Sequence, residues 1–563
     1  MEAAETWQDL TLYRLLARAA QRTPDQVALV TPRGSYTFRE ILADVHALAW
    51  ELHNLGIGPQ DRVATLFGTR RPWIILHYAV ALLGATLVPL NTRWQAEELR
   101  SALTQVRATV LALMDRDGNQ DILARAVEAC PALKDACAGR VVSAVLPNLR
   151  LVIGYTVAHQ PRFDLDLRQL IASPQKLDHA WLERQAAFVK PCDTALILFT
   201  SGSTCRPKAA QLTHRNVIGH AHYLSRFLDL QPSDRYINLL PFFHVAGYAQ
   251  GLVLNQYVGS ALYLVDQFKP EEILDVITRH RITAWAAMPV TVQRVLDLAR
   301  DTHADLSSLR IQHGVSPELW DRVAQETRAS IITRMYGLTE SAGLVTMSRP
   351  AEKDRADWRN SVGLPLPGVT VRTVDPATNQ ALPNGQTGEV IFRGWNCFQG
   401  YYGDPQATAA TIDDAGYCHT GDQGFVDADG CLHLLGRYKE MIKTGGENVS
   451  ALELELWLKQ HIPGIHVVCI VGVPDAAWGE AVTALVEPAQ TVRLDPKAIK
   501  AECAEHLASF KIPRHIIFVR ANEWRYIGSG KMDRAGLRDW ATMKLRERSE
   551  GKERYGESGA SQA

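Results

Sequence analysis

From Tyr36 to Pro289 the sequence keeps switching between two hydrophobic periods, and that switching is its tightest constraint on the fold. "YTFREILADVHALAWELHNLG" (36–56) places apolar residues at helical spacing and stops at Gly56. "DRVATLFG" (61–68) is a short, continuously apolar run, as a strand buried on both faces requires. "PWIILHYAVALLGATLVPL" (72–90) reads as a helix followed by a strand. Further on, "SDRYINLLPFF" (233–243), "SALYLV" (260–265) and "ITAWAAMP" (282–289) are strand-like, and "KPEEILDVITRHR" (269–281) is a helix between the last two. Strands alternating with helices predict an α/β fold with helices layered on sheets. From about residue 362 the texture changes. "TVRTVDPATNQALPNGQTGEVIFRG" (370–394) has period-two strands broken by Pro, Asn and Gly turns, which predicts a β-rich subdomain over about 362–437. Helix "ALELELWLKQH" (451–461) and strands "HVVCIVGVP" (466–474) and "HIIFV" (515–519) then predict a small α+β terminal domain over 438–543. The charged, small-residue-rich stretch 544–563 reads as a disordered tail.

A second feature points to chemistry. "LFTSGSTCRPKAAQLTH" (198–214) gathers Thr200, Ser201, Ser203 and Thr204 around Gly202, with Lys208 close by. Hydroxyls, free backbone N–H groups and a lysine make an anion site. The GxxxxGK[ST] spacing of a P-loop is absent, and on this stretch alone a solvated Ser/Thr loop remains an equal reading. Composition narrows the partners. A formal net charge of -1 over 563 residues argues against nucleic acid or an anionic membrane as the main partner. Nine cysteines without CxxC pairing read as free thiols of a reducing compartment, with no zinc cluster. The start lacks the basic and apolar blocks of a signal peptide, and the longest apolar run is too short to span a bilayer. The expectation is a cytoplasmic protein.

Other stretches follow in order: "PFFHVAG" (241–247), "MYGLTESAG" (335–343), "YCHTGDQG" (417–424), "GRYKEMIKTGGENVS" (436–450) and "GSGKMDR" (528–534). Together with the hydroxyl-rich loop, this set resembles the adenylate-forming superfamily of acyl-CoA synthetases, peptide-synthetase adenylation domains and luciferase, over about residues 10–540. The resemblance implies a large N-terminal acyl/AMP-binding domain (1–437) and a mobile C-terminal domain that rotates about hinge Lys439. It implies joining of a carboxylate to ATP as an acyl-adenylate, then transfer of the acyl group to CoA. Thr200, Ser201, Gly202, Ser203, Thr204 and Lys208 would hold the ATP phosphates. Thr339 would meet the α-phosphate, and Glu340 would help hold Mg²⁺, a cation that takes oxygen ligands. Tyr336 and Gly337 would flank adenine, Asp422 would accept the ribose hydroxyls, and Arg437 would lie near ribose and phosphate. Lys531 would bridge the acyl carboxylate and α-phosphate, stabilising developing charge. His244 would gate the acyl pocket. Lys443, Gly445 and Gly446 would face CoA. Taken singly, each has a plainer reading: Tyr336 and His244 as interior residues, Asp422 and Lys531 as turn residues, and Glu340 as a helix-start acid.

The sequence also departs from the family pattern. Cys205 and Ala209 stand where the phosphate loop favours glycine. If those sites need φ > 0, each costs about 1–2 kcal/mol. After Leu309–Arg310, only Gly314 and Val315 stand where a longer adenine-side turn belongs, with the next helix beginning near Pro317. These changes touch adenylation more than thioester formation. The expectation is therefore an acyl-CoA ligase (fatty-acid or natural-product metabolism) with impaired adenylation, a partner ligase supplying the acyl-adenylate. An ordinary two-step synthetase, a carrier-protein loader and a non-catalytic binding protein are the alternatives. Ala246, Gly247, Ala286, Ala287, Ala342 and Gly343 suggest room for a bulky acyl group, or equally close packing. A homodimer is compatible with the sequence.

Overall fold

Local chemistry sets the first elements of the computed structural model. It describes residues 6–157, 163–173, 178–200, 207–316, 319–349, 361–444, 447–475, 478–490, 492–507, 509–527 and 531–556. Helix Phe38–Asn54 starts at a capping box: Thr37 N donates to Glu40 Oε2 (2.7 Å) and Glu40 N donates to Thr37 Oγ1 (3.2 Å). Helix Arg71–Leu82 is apolar all round and buried from Pro72 onward, as a helix enclosed by other elements must be.

The chain forms two compact units. The N-terminal unit comprises residues 1–372, 391–420 and 426–433, and the C-terminal unit 373–390, 421–425 and 434–563. The predicted single boundary at 437 is thus not how the packing divides the chain. The predicted β-rich stretch does form a sheet of its own, in the order Val369–Val374, Gly388–Gly394, Cys418–Val426 and Leu432–Arg437.

The N-terminal unit is built on two seven-stranded sheets. In the first, Ile331–Thr333, Ile311–His313, Ala284–Ala286, Arg235–Asn238, Ala261–Tyr263 and Val27–Thr31 run parallel, and Gly34–Thr37 closes the edge as a hairpin. Helices Pro270–His280 and Pro289–Thr302 cover this sheet with Ile273, Ile277, Val292, Val295 and Leu296. At the carboxyl ends of the strands Asn238 stands opposite Ala286, and His313 opposite Thr333. The second sheet runs Gly400–Tyr401, Lys208–Thr213, Thr194–Thr200, Thr86–Pro89, Arg62–Leu66, Val110–Met114 and Leu151–Tyr155. Its first three strands pair antiparallel.

In the C-terminal unit the long hairpin Ile465–Asp475 and Gly479–Pro488 is the spine of a five-stranded sheet. Period-two alternation gives it two cores. Val468 and Ile470 face helices Ala451–His461 and Pro496–His506, while Cys469, Val471 and Val473 face Leu537, Trp540 and Ala541. The helix carrying those last residues runs from Arg534 to Gly556. This corrects the expectation of disorder from Lys544. Lys, Arg, Glu and Leu are good helix formers, and a charged composition suits a solvated helix as well as a coil. Residues 557–563 lie outside the described residues. No described helix is long and apolar enough to cross a membrane.

Candidate functional site

The hydroxyl-rich loop connects two paired strands. Thr200 ends one, Lys208 begins the next, and the two are register partners. Ser201, Gly202, Ser203, Thr204 and Cys205 lie outside the described residues. Ala209 is described. It is a fully buried strand residue opposite Phe199 and is not among the positive-φ positions. The left-handed backbone that would have strained an alanine there is absent, so Ala209 carries no conformational cost.

Lys208 and Glu340 meet through a residue that sequence reasoning did not single out. Tyr401 lies on the neighbouring strand, with Ala210 as its register partner. The Lys208 ammonium sits 4.6 Å from the centroid of the Tyr401 ring, within cation–π range. The Tyr401 hydroxyl donates to Glu340 Oε1 at 2.7 Å. Burial first, and then the adjacent Glu340 charge, push the Tyr401 phenol well above its usual range, so it stays a donor. Glu340 is itself buried, and Phe398 N donates to its backbone oxygen (2.9 Å). With Oε1 engaged, Oε2 is the oxygen left for a cation, and a hard oxygen donor of this kind fits Mg²⁺.

Glu340 and Thr339 stand on a single 3-10 turn, Thr339–Ser341. Leu338 N donates to Ser341 Oγ (3.0 Å), and Ser341 N donates to Leu338 O (3.0 Å). The chain then leaves through two left-handed residues, Ala342 (φ 52) and Gly343 (φ 93). Gly337 has a definite reason to be glycine. A Cβ there would stand 2.2 Å from Gly343 O, a contact only backbone displacement could relieve. Thr339 is half-buried and Tyr336 buried.

His244 is half-buried beside Phe243, and its carbonyl accepts from Tyr248 N (3.0 Å) as a π-helical segment, Ala246–Val253, begins. Gly247 is small for packing: a Cβ would lie 2.2 Å from Pro241 O. It therefore does not mark room for an acyl group. The strand before the expected adenine-side turn ends at His313, and Gly314 takes φ 70. Val315 N then donates to Thr333 O (3.0 Å), and the next described helix is Trp320–Glu326. Pro317 lies outside the described residues.

The C-terminal unit gathers the other predicted residues. Arg437 Nε lies 2.8 Å from Oδ1 of the buried Asp422. Lys531 keeps some surface exposure. Desolvation by the surrounding chain, and then the Arg437 guanidinium, hold its amine below the usual lysine value, while Asp422 and Glu440 pull it back up. Three predicted groups therefore share one electrostatic neighbourhood. The Lys531 segment is tied by Ile527 N donating to Lys531 O (2.8 Å) and, three residues on, by Arg534. That guanidinium forks onto Glu455, both N–O distances being 2.6 Å, and also donates to Ile470 O (3.1 Å). The Lys439 backbone is in a 3-10 turn, Tyr438–Glu440. Lys443 is exposed, its N donating to Glu480 Oε2 (2.8 Å). Gly445 and Gly446 lie outside the described residues.

Against known families, residues 16–402 match the model described as AMP-binding enzyme. The chain belongs to that family. Residues 453–531 of this AMP-binding enzyme match the model of the family's C-terminal domain. A 3-[(3aS,4S,7aS)-7a-methyl-1,5-dioxo-octahydro-1H-inden-4-yl]propanoyl:CoA ligase of Mycobacterium tuberculosis is 34% identical over 90% of this chain and 95% of its own. A feruloyl-CoA synthase of Amycolatopsis is 30% identical over 92% and 97%. Among solved structures, the anthranilate CoA ligase AuaEII in complex with anthranoyl-AMP superposes with a TM-score of 0.81 at 25% identity, covering 97% of this chain and 100% of that one. ATP-bound MatB from Rhodopseudomonas palustris gives 0.78 at 26%, over 95% and 99%. These relatives make the protein an acid–thiol ligase of the acyl-CoA synthetase type.

Tyr401 was missed by the sequence reading. Tyr401 meets Glu340 only through strand pairing, 61 residues along the chain, and no local motif signals that.

Proposed function

We propose that this protein converts a bulky carboxylic acid to its CoA thioester through an acyl-adenylate, with adenylation the weakened half-reaction. What supports the weakening is the sequence after Leu309–Arg310, where only Gly314 and Val315 stand in place of the longer adenine-side turn that the resemblance leads us to expect. The groups that activate the carboxylate remain. Thr339 and Lys208 contact phosphate, Lys531 stabilises the charge that builds on the α-phosphate, and Asp422 and Arg437 hold the ribose. Glu340 would hold Mg²⁺, which supplies charge neutralisation on the phosphates when bound. Rotation of the C-terminal domain about Lys439 brings Lys443, Gly445 and Gly446 to CoA.

The test gives purified protein acid, ATP, Mg²⁺ and CoA in one arm, and synthetic acyl-AMP with CoA in the other. We expect the second arm to be at least about tenfold faster, a difference of about 1.4 kcal/mol in barrier. Equal rates would leave an ordinary two-step ligase, the reading favoured by the unstrained Ala209 and the intact Tyr401–Glu340 contact. No thioester from either arm would remove the ligase reading altogether.

A further inference from the structure

Two thiols meet beside the carboxylate-activating turn. Cys397 lies between strands Gly388–Gly394 and Gly400–Tyr401, and Cys418 opens strand Cys418–Val426. Both belong to the N-terminal unit. Their side chains share a hydrogen bond, the Cys418 thiol donating to the Cys397 sulfur. Neither is in a disulfide. The pair is asymmetric: Cys418 is 0% exposed, whereas Cys397 is half-buried and keeps some open surface. Each backbone is anchored. Cys397 N donates to Gly394 O (3.2 Å), and Asn216 Nδ2 donates to Cys397 O (3.1 Å). Cys418 pairs with Ile412 in a β-bridge, and next to it His419 N donates to Thr411 O (2.8 Å). Fixed chain on both sides thus holds the two sulfurs together.

The pair adjoins the segment that holds Glu340. Phe398, the residue after Cys397, donates its N–H to Glu340 O (2.9 Å). The Tyr401 hydroxyl, further along the same segment, donates to Glu340 Oε1 (2.7 Å). Residues 397–401 therefore grip Glu340 by backbone and by side chain. Cys418 also lies close enough to Tyr401, and Cys397 to Glu340, for their charges to act on one another. A sulfur–sulfur bond is about 2.05 Å long, shorter than the hydrogen-bond contact it would replace. Closing it draws Cys397 toward Cys418, and with it the segment that fixes Glu340.

We propose that Cys397 and Cys418 form an oxidation site at which a hydroperoxide closes a reversible disulfide, and that the disulfide slows adenylation by pulling residues 397–401 away from Glu340. The more accessible Cys397 sulfur, as thiolate, attacks one peroxide oxygen. The O–O bond breaks and leaves a sulfenic acid on Cys397. With hydrogen peroxide the other oxygen departs as hydroxide and takes the thiol proton, giving water. The Cys418 sulfur then attacks the sulfenic sulfur. The S–S bond forms, the S–O bond breaks, and the hydroxyl leaves with the Cys418 proton as a second water. Two electrons pass from the thiol pair to the peroxide. A dithiol reductant restores both thiols by exchange. The site stands on the thiol geometry, and its effect on rate rests on the reading in which Glu340 holds Mg²⁺.

The experiment treats the reduced, folded protein with a small molar excess of hydrogen peroxide and then blocks the remaining thiols with iodoacetamide. Trypsin and Asp-N cut after Arg393 and before Asp404, Asp414 and Asp422, so residues 394–403 and 414–421 part unless Cys397 is joined to Cys418. We expect a linked fragment, lighter by two hydrogens than the sum of its parts, that dithiothreitol abolishes. Pyrophosphate release from acid, ATP and Mg²⁺ should fall about fivefold or more as the linkage forms, and recover with dithiothreitol. Thioester formation from acyl-AMP should fall less. Cys397→Ser and Cys418→Ala should each keep the reduced activity and lose the peroxide effect. Linkage and reversal are read on the unaltered protein, so they stand even if a variant does not fold. Absence of the linked fragment from the folded protein overturns the site. Linkage without a fall in pyrophosphate release, or an equal fall in both variants, overturns the coupling to Glu340 and leaves the ligase standing. No turnover by the reduced protein in either arm removes the ligase reading and the coupling with it, while the linked fragment still decides the site.

Discussion

The N-terminal unit keeps several neutral histidines in its interior, whereas the segment bearing Lys531 in the C-terminal unit is tied by an ion pair. His77, His214, His220 and His313 are all buried in the first, whereas His461, His466 and His506 of the second are exposed. The turn bearing Thr339 and Glu340 is fixed by backbone shape, Gly337 fitting against Gly343. The segment bearing Lys531 is fixed by a guanidinium fork from Arg534 to Glu455. A turn that only has to be rigid can be held by close packing alone. A lysine segment at a surface has little packing available, and an ion pair with directional hydrogen bonds substitutes for it.

The contrast can be broken first with pH. Burial lowers His77, His214 and His313 from 6.5 to about 3, and His220 to about 4. Above pH 6.5 their contribution to stability is fully present. As pH falls from 6.5 toward 4 the unfolded chain takes up protons that the folded unit refuses. Stability of the N-terminal unit should then fall by up to about 5 kcal/mol per pH unit for four protons. Urea midpoints measured at pH 7, 6 and 5 check this, and a pH-independent midpoint contradicts it.

Next in size is Gly337→Ala. The 2.2 Å approach to Gly343 O forces the backbone apart, and we expect a loss of about 4 kcal/mol, read as a lowered denaturation midpoint of the N-terminal unit. In the other unit, Arg534→Ala leaves Glu455 buried without its charge partner, for a loss of about 3 kcal/mol. The double change Arg534→Leu with Glu455→Leu should recover most of it, as measured by the same unfolding curve. Recovery would show that the pair confers position more than net stability. The smallest effect is Tyr401→Phe. It removes one donor from Glu340, about 1 kcal/mol, and should slow the acid-plus-ATP reaction roughly fivefold, with a smaller change from acyl-AMP.

Much of the site was legible because the motif-bearing residues are neighbours in sequence. Thr339 and Glu340 share one turn, and Thr200 and Lys208 end and begin paired strands, so spacing alone brought them together. The strain expected at Ala209 was not legible. Whether an alanine costs anything depends on φ, and φ there is set by pairing with Phe199. Small side chains misled in the same way at Gly247, where backbone proximity, not a cavity, excludes a larger residue.

The alternation of hydrophobic periods determined the α/β class, the helix and strand positions and the order of the motifs, because those depend on contacts a few residues apart. The tertiary structure alone decided the rest: where the two compact units divide, that residues 544–556 are helical, and that Tyr401 holds Glu340 beside Lys208. The physical reason is that pairing across sheets joins residues separated by tens to hundreds of positions. No local period encodes which side chains such pairing brings together.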